Sequence, residues 1–115
     1  MENPTNDFVF YRIAPQADFP QGERLFVEID GNPIVIFSIG SEFLATGDVC
    51  THDGGSIGEG EMVDDEIICP RHGARFNVRT GKALSLPAVV DIPVYPVRLK
   101  DGYIEVGIQK QEKTS

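Results

Sequence analysis

Cys50-Thr51-His52 and Cys69-Pro70-Arg71-His72 decide how this chain of 115 residues is read. Each segment offers one thiol and one imidazole. One residue separates the first pair, two separate the second, and sixteen lie between His52 and Cys69. The sequence holds two cysteines and two histidines in all, so these segments use the whole supply. Four soft or borderline donors with none left over point to one metal centre. Tetrahedral zinc takes the same donor set, but its usual spacing brings two cysteines together and two histidines further on. Here each segment mixes the types. Four unrelated residues, each buried or solvated on its own, would leave two matching clusters as a coincidence.

The pattern C-x-H…C-x-x-H resembles the Rieske iron–sulfur family, and the resemblance runs over roughly residues 8–107. It implies one [2Fe–2S] cluster, with Cys50 and Cys69 on one iron and His52 and His72 on the other. Imidazoles add no negative charge, so replacing two thiolates by them raises the reduction potential above that of an all-cysteine ferredoxin. The segment Gly73-Ala74-Arg75-Phe76-Asn77-Val78-Arg79-Thr80-Gly81-Lys82 fits the family without gaps. Leu86-Pro87-Ala88 resembles its proline-containing loop, which covers the cluster from a third side; Pro87 equally reads as a rigid loop residue. Gly54, Gly55 and Gly73 are expected where backbone passes close to the cluster and a side chain would clash. Gly58 and Gly60 are expected to be ordinary turn glycines.

Outside these segments the chain reads as short strands with turn punctuation and no amphipathic helix. Strands are expected at 8–13, 24–29, 33–39, 42–46, 66–68, 74–78, 94–99 and 103–108. Asp30-Gly31 and Lys100-Asp101-Gly102 are hairpin signals, since a tight turn needs positive φ. The expected fold is therefore all-β, an antiparallel sandwich or small barrel; the resemblance implies an antiparallel β-sandwich of the Rieske type with a small inserted cluster-binding subdomain. The chain, 1–115, is expected to be a single domain. Its framework would span about 8–46 and 88–109, and the Gly-rich subdomain about 47–87. The acids Glu59, Glu61, Asp64, Asp65 and Glu66 read as a solvated loop face, with docking as the lesser alternative.

High-potential respiratory Rieske proteins carry a disulfide between the two cluster loops. Its cysteines would fall at Gly55 and Arg71. They also donate Ser and Tyr hydroxyls to cluster sulfur, where this chain has Ala74 and Phe76. Fewer donors mean a potential near the low end of the Rieske range, about −150 mV. The resemblance is thus to soluble, low-potential ferredoxins of bacterial aromatic-ring-hydroxylating dioxygenase systems. It implies a single-electron carrier, not an enzyme, with a flavoprotein ferredoxin reductase and a terminal oxygenase as partners. An oxygenase would need a second, mononuclear iron held by two histidines and a carboxylate, and no histidine remains for it. The alternatives are an accessory redox protein, of iron–sulfur assembly or the nitrite-reductase small-subunit type, and a structural zinc module.

Composition narrows the classes further. A net charge of −8, from 18 acids against 10 bases, argues against nucleic acid. It suits a carrier that meets a basic docking surface. No apolar run is long enough to span a bilayer, and residues 1–7 lack the layout of a signal peptide. With both cysteines assigned to the metal, no structural disulfide is possible, which fits a reducing cytoplasm; the chain is expected to be a monomer.

Overall fold

The computed structural model describes residues 8–51, 54–71, 73–86 and 90–109. In chain order the strands are β1 Phe8–Pro15, β2 Arg24–Ile29, β3 Asn32–Ile39, β4 Glu42–Gly47, β5 Glu61–Val63, β6 Glu66–Ile68, β7 Arg75–Asn77, β8 Val94–Tyr95, β9 Val97–Lys100 and β10 Tyr103–Gln109. A 3-10 turn, Gln16–Asp18, follows β1. Three antiparallel sheets result, ordered β1-β10-β9, β2-β3-β4-β8 and β5-β6-β7.

Strand β3 organises the molecule. Its run Ile34-Val35-Ile36-Phe37 is wholly buried, and successive side chains point to opposite faces. Ile34 and Ile36 join Ile104, Val106 and Ile108 of β10 in one core. Val35 and Phe37 enter a second core with Ile67 of β6, Phe76 of β7, Cys50 and Cys69. A strand covered on both faces needs an unbroken apolar run, and an alternating strand would bury polar groups on one of them. Each such side chain contributes roughly 1.5–3 kcal/mol by leaving water. The β2-β3-β4-β8 sheet is therefore the middle layer, with β10 packed on one side and the β6–β7 hairpin on the other.

The turns follow from local chemistry. Asp30 and Gly31 adopt φ of 53° and 79° between the paired Ile29 and Asn32. Asp101 and Gly102 repeat this at 53° and 81° between Lys100 and Tyr103. Positive φ at both central residues gives the turn whose twist matches antiparallel strands.

Three elements differ from the sequence expectation. The strand expected at 94–99 is divided at Pro96: Val94–Tyr95 pairs with β4, and Val97–Lys100 pairs with β10. Proline has no N–H for a ladder, so the chain changes sheet there, and the Pro96 carbonyl accepts from Gly107 N at 2.8 Å. Strand β1 continues to Pro15, with a register shift between Arg12 and Ala14. The acidic run is not a loop, because Glu61 and Glu66 lie on the paired strands β5 and β6 with Asp64-Asp65 as their turn. Arg75 pairs with Glu66 at 3.2 Å, and Arg79 pairs with Asp65 at 2.9 Å and with Glu42 of β4.

Candidate metal centre

Cys50 follows β4, and Cys69 follows β6. Both are buried, at 0% and 1% exposure, within the same core as Phe37, Ala74 and Phe76. Each cysteine opens a loop, and the two loops close in the same way. Cys50 N donates to Gly55 O and Gly54 N donates to Cys50 O, both at 2.6 Å. Cys69 N donates to Ala74 O at 2.7 Å and Gly73 N to Cys69 O at 2.9 Å. In each loop the cysteine amide thus reaches the carbonyl five residues on, and its carbonyl receives the amide four residues on. That fourth residue is glycine in both, Gly54 at φ 79° and Gly73 at φ 75°.

The glycines around the first cysteine are set by two different demands of the chain. Among the described residues, chain neighbours apart, no atom lies within 4 Å of a Cβ built on Gly54 or Gly73. Their positive φ by itself favours glycine there. Gly58 and Gly60 are not mere turn residues. A Cβ on Gly58 would stand 2.4 Å from Phe26 Cε2, and one on Gly60 1.8 Å from the Ile68 carbonyl oxygen. The chain after the first loop therefore lies flush against β2 and β6.

Two polar anchors hold that chain, and sequence reasoning missed both. Asp48 Oδ1 accepts from Ser56 Oγ at 2.8 Å, Ile57 N at 3.0 Å and Gly58 N at 2.7 Å. Arg24 Nη1, reaching from β2, donates to the carbonyls of Gly58 at 2.5 Å and Gly60 at 2.7 Å. Asp48 could have been suspected as a short polar side chain just before a Gly-rich stretch. Arg24 gives no local signal, because its partners lie 34 and 36 residues away. Thr51 Oγ1 donates to Val90 O at 2.5 Å, tying the first loop to the segment after Leu86.

His52, His72, Asp53 and Pro87 lie outside the described residues. Gly55 and Arg71, where the respiratory proteins would carry a disulfide, do meet across the two loops. Arg71 Nη1 donates to Ser56 O at 2.9 Å, and its guanidinium rests against Gly55. Ala74 and Phe76 are fully buried beside the cysteines.

The family model of the Rieske [2Fe-2S] domain matches residues 9–96. The 3-phenylpropionate/cinnamic acid dioxygenase ferredoxin subunit of Escherichia coli (strain K12) is 41% identical over 101 residues, covering 86% of this chain and 93% of that one. Among solved structures, a chain from the complex of reduced oxygenase and oxidized ferredoxin in carbazole 1,9a-dioxygenase superposes with a TM-score of 0.80. It is 34% identical, and the match covers 90% of this chain and 97% of that one. The ferredoxin of carbazole 1,9a-dioxygenase from Nocardioides aromaticivorans IC177 gives 0.79 at 27% identity, over 89% and 98%. Two buried thiols in one apolar core, each heading one of two equivalent loops, fit a group that takes a thiolate from each. The chain therefore belongs to the Rieske [2Fe–2S] domain family and is a ferredoxin of that family, an electron carrier with one Rieske-type cluster.

Proposed function

We propose that Cys50 and Cys69 hold one iron of the cluster and His52 and His72 the other, and that the chain passes single electrons from a flavoprotein reductase to a terminal oxygenase. The observation that supports the cysteine half of this assignment is the identical closure of the loops at Cys50–Gly55 and Cys69–Ala74; the histidine half rests on the C-x-H and C-x-x-H pattern. The cluster supplies one-electron chemistry. The chain's residues supply the rest: Phe37, Phe76, Val78 and Ile57 exclude water from the cysteine side, and Asp48 and Arg24 hold the first loop's exit in place. Gly54, Pro70, Arg71 and Gly73 are exposed in the two cysteine loops, and partners are proposed to dock there. One face serving both partners means that they bind in turn, and such redox contacts are small and transient.

Residues 47–87 then act as the cluster-binding subdomain, on a framework of about 8–46 and 88–109. Catalysis belongs to the oxygenase, since the four ligands leave no histidine for a second iron or a base. The partner class rests on the relatives, which are dioxygenase ferredoxins. Among the described residues no helix is long and apolar enough to cross a membrane, and we place the protein in the cytoplasm as a monomer. Iron and acid-labile sulfide should each be found at two per chain, and reduction by a flavoprotein reductase should support turnover of a terminal oxygenase. One zinc and no sulfide in protein made with ample iron would overturn the ligand assignment. A loaded protein that the reductase reduces but no ring-hydroxylating oxygenase reoxidises would overturn the partner.

A further inference from the structure

We propose that Arg71 is a positioning residue that straps the Cys69–Ala74 loop to the Cys50–Gly55 loop, and that position 55 is glycine in order to receive it. The inference rests on the reading of Cys50 and Cys69 as cluster ligands.

The geometry is specific to this pair. Arg71 stands two residues after Cys69, yet its guanidinium serves the other loop. Nη1 donates to Ser56 O at 2.9 Å. The three atoms nearest to a Cβ built on Gly55 all belong to Arg71: Cζ and Nη2 at 2.6 Å and Nε at 3.1 Å. The planar group thus fills the space that a side chain at 55 would take. Gly55 is not among the glycines with positive φ, so its backbone conformation does not itself demand glycine. What demands it is room for Arg71.

The position of the contact gives it leverage. Gly55 O is the acceptor that closes the first loop on Cys50 N, and Ser56, the next residue, is tied to Asp48. The exit of the first loop is therefore held from two directions: Asp48 from its own base, and Arg71 from the second loop. In sequence the loops are separated by the whole β5–β6 hairpin, so local chain connectivity cannot fix their spacing. A guanidinium suits this task because it is flat and presents several donors in a rigid fork, which an ammonium does not.

The test uses the full-length protein loaded with its cluster, as Arg71→Ala, Arg71→Lys, Gly55→Ala and the double variant Gly55→Ala with Arg71→Ala. Arg71 is exposed, and the three atoms nearest a methyl at 55 belong to the movable end of its side chain, so all four should fold. The readouts are the rate at which visible absorbance is lost under excess chelator, the potential by voltammetry and the EPR line width of reduced protein. Arg71→Ala and Gly55→Ala should each lose the cluster roughly fivefold faster, as expected for one lost hydrogen bond, with broadened EPR lines. The double variant should be no worse than the poorer single one, since both remove the same contact. Arg71→Lys should keep the wild-type potential but lose its cluster faster than wild type. Multiplying effects in the double variant, or wild-type lifetimes in a fully loaded Gly55→Ala protein, would overturn the strap alone. A wild-type protein that holds neither iron nor sulfide would overturn the ligand reading and the strap with it.

Discussion

Gly54 and Gly60 both neighbour the first cysteine loop, and they are glycine for unrelated reasons. Gly54 adopts a left-handed φ of 79°. Gly60 needs no side chain, because its Cβ would fall 1.8 Å from a backbone carbonyl. Alanine at 54 should therefore cost about 1–2 kcal/mol, the price of a left-handed L-residue, and the protein should still fold. Alanine at 60 must push β6 away from the chain, with Arg24 losing its carbonyl acceptors as well. We expect Gly60→Ala to give little folded, loaded protein where Gly54→Ala gives a modestly lowered melting temperature, read by thermal denaturation with iron content measured alongside. Phe76 carries a second residue-scale expectation. It is fully buried in the core that contains both cysteines and offers no hydroxyl. Phe76→Tyr should raise the potential in voltammetry if its hydroxyl donates to sulfur, because a donor withdraws electron density from the reduced cluster. An unchanged or lowered potential would mean that the hydroxyl is directed elsewhere.

At the scale of elements, the sheet β1-β10-β9 is cross-linked by charge as well as by its ladder. Glu105 of β10 lies directly opposite Arg12 of β1 and Arg98 of β9. Its carboxylate accepts from Arg98 Nε at 2.8 Å and Arg12 Nε at 3.3 Å. The guanidinium of Arg98 sits over the Phe10 ring and that of Arg12 over Tyr103. The hydrogen bond from Arg98 leads in holding the Glu105 carboxyl below its ordinary value of 4.5, with Arg12 adding to it and burial opposing. A folded-state value below the unfolded one means that the ionised form stabilises the fold. That stabilisation is complete above 4.5 and is lost as pH falls through the folded-state value. Glu105→Gln should therefore lower the denaturation midpoint at neutral pH and also flatten its decline in acid. A variant whose acid decline matched wild type would show that other carboxylates govern it. The paired cysteine motifs and the Asp-Gly turns were legible in the sequence, because each depends on residues adjacent along the chain. The break at Pro96 was not read, although proline marks it, because Val94–Leu99 satisfies the strand pattern on both sides. Strand β5 was hidden by its shortness and by the acids around it, because Glu61-Met62-Val63 becomes a strand only by pairing with β6.

For the molecule as a whole, the net charge of −8 sets an expectation about kinetics. Opposite charge on a partner speeds encounter, and salt screens it beyond about 10 Å at 0.1 M ionic strength. Reduction by a flavoprotein reductase should slow as salt is raised through that range, while the cluster spectrum stays constant. Stopped-flow reduction across ionic strength is the direct measurement. A rate independent of salt would mean that the docking face carries no net electrostatic attraction. The layered build supports such a carrier mechanically. The framework core, around Ile34, Ile36 and Ile104, and the cysteine-side core, around Val35, Phe37 and Phe76, share β3 as a common wall.

The sequence alone determined the family, the all-β class and the four donors proposed to hold the cluster. These follow from residue identity and short spacings, which survive without any knowledge of distant contacts. It also determined where tight turns fall, since positive φ is a local demand. Tertiary structure alone decided which glycines are conformational and which are spatial, because a clash with Ile68 or Arg71 involves residues far along the chain. It decided that Asp48 and Arg24 anchor the first loop and that Arg71 reaches the opposite one. Those choices depend on how β2, β6 and the two cysteine loops pack around a shared core, and no local pattern encodes distances across it.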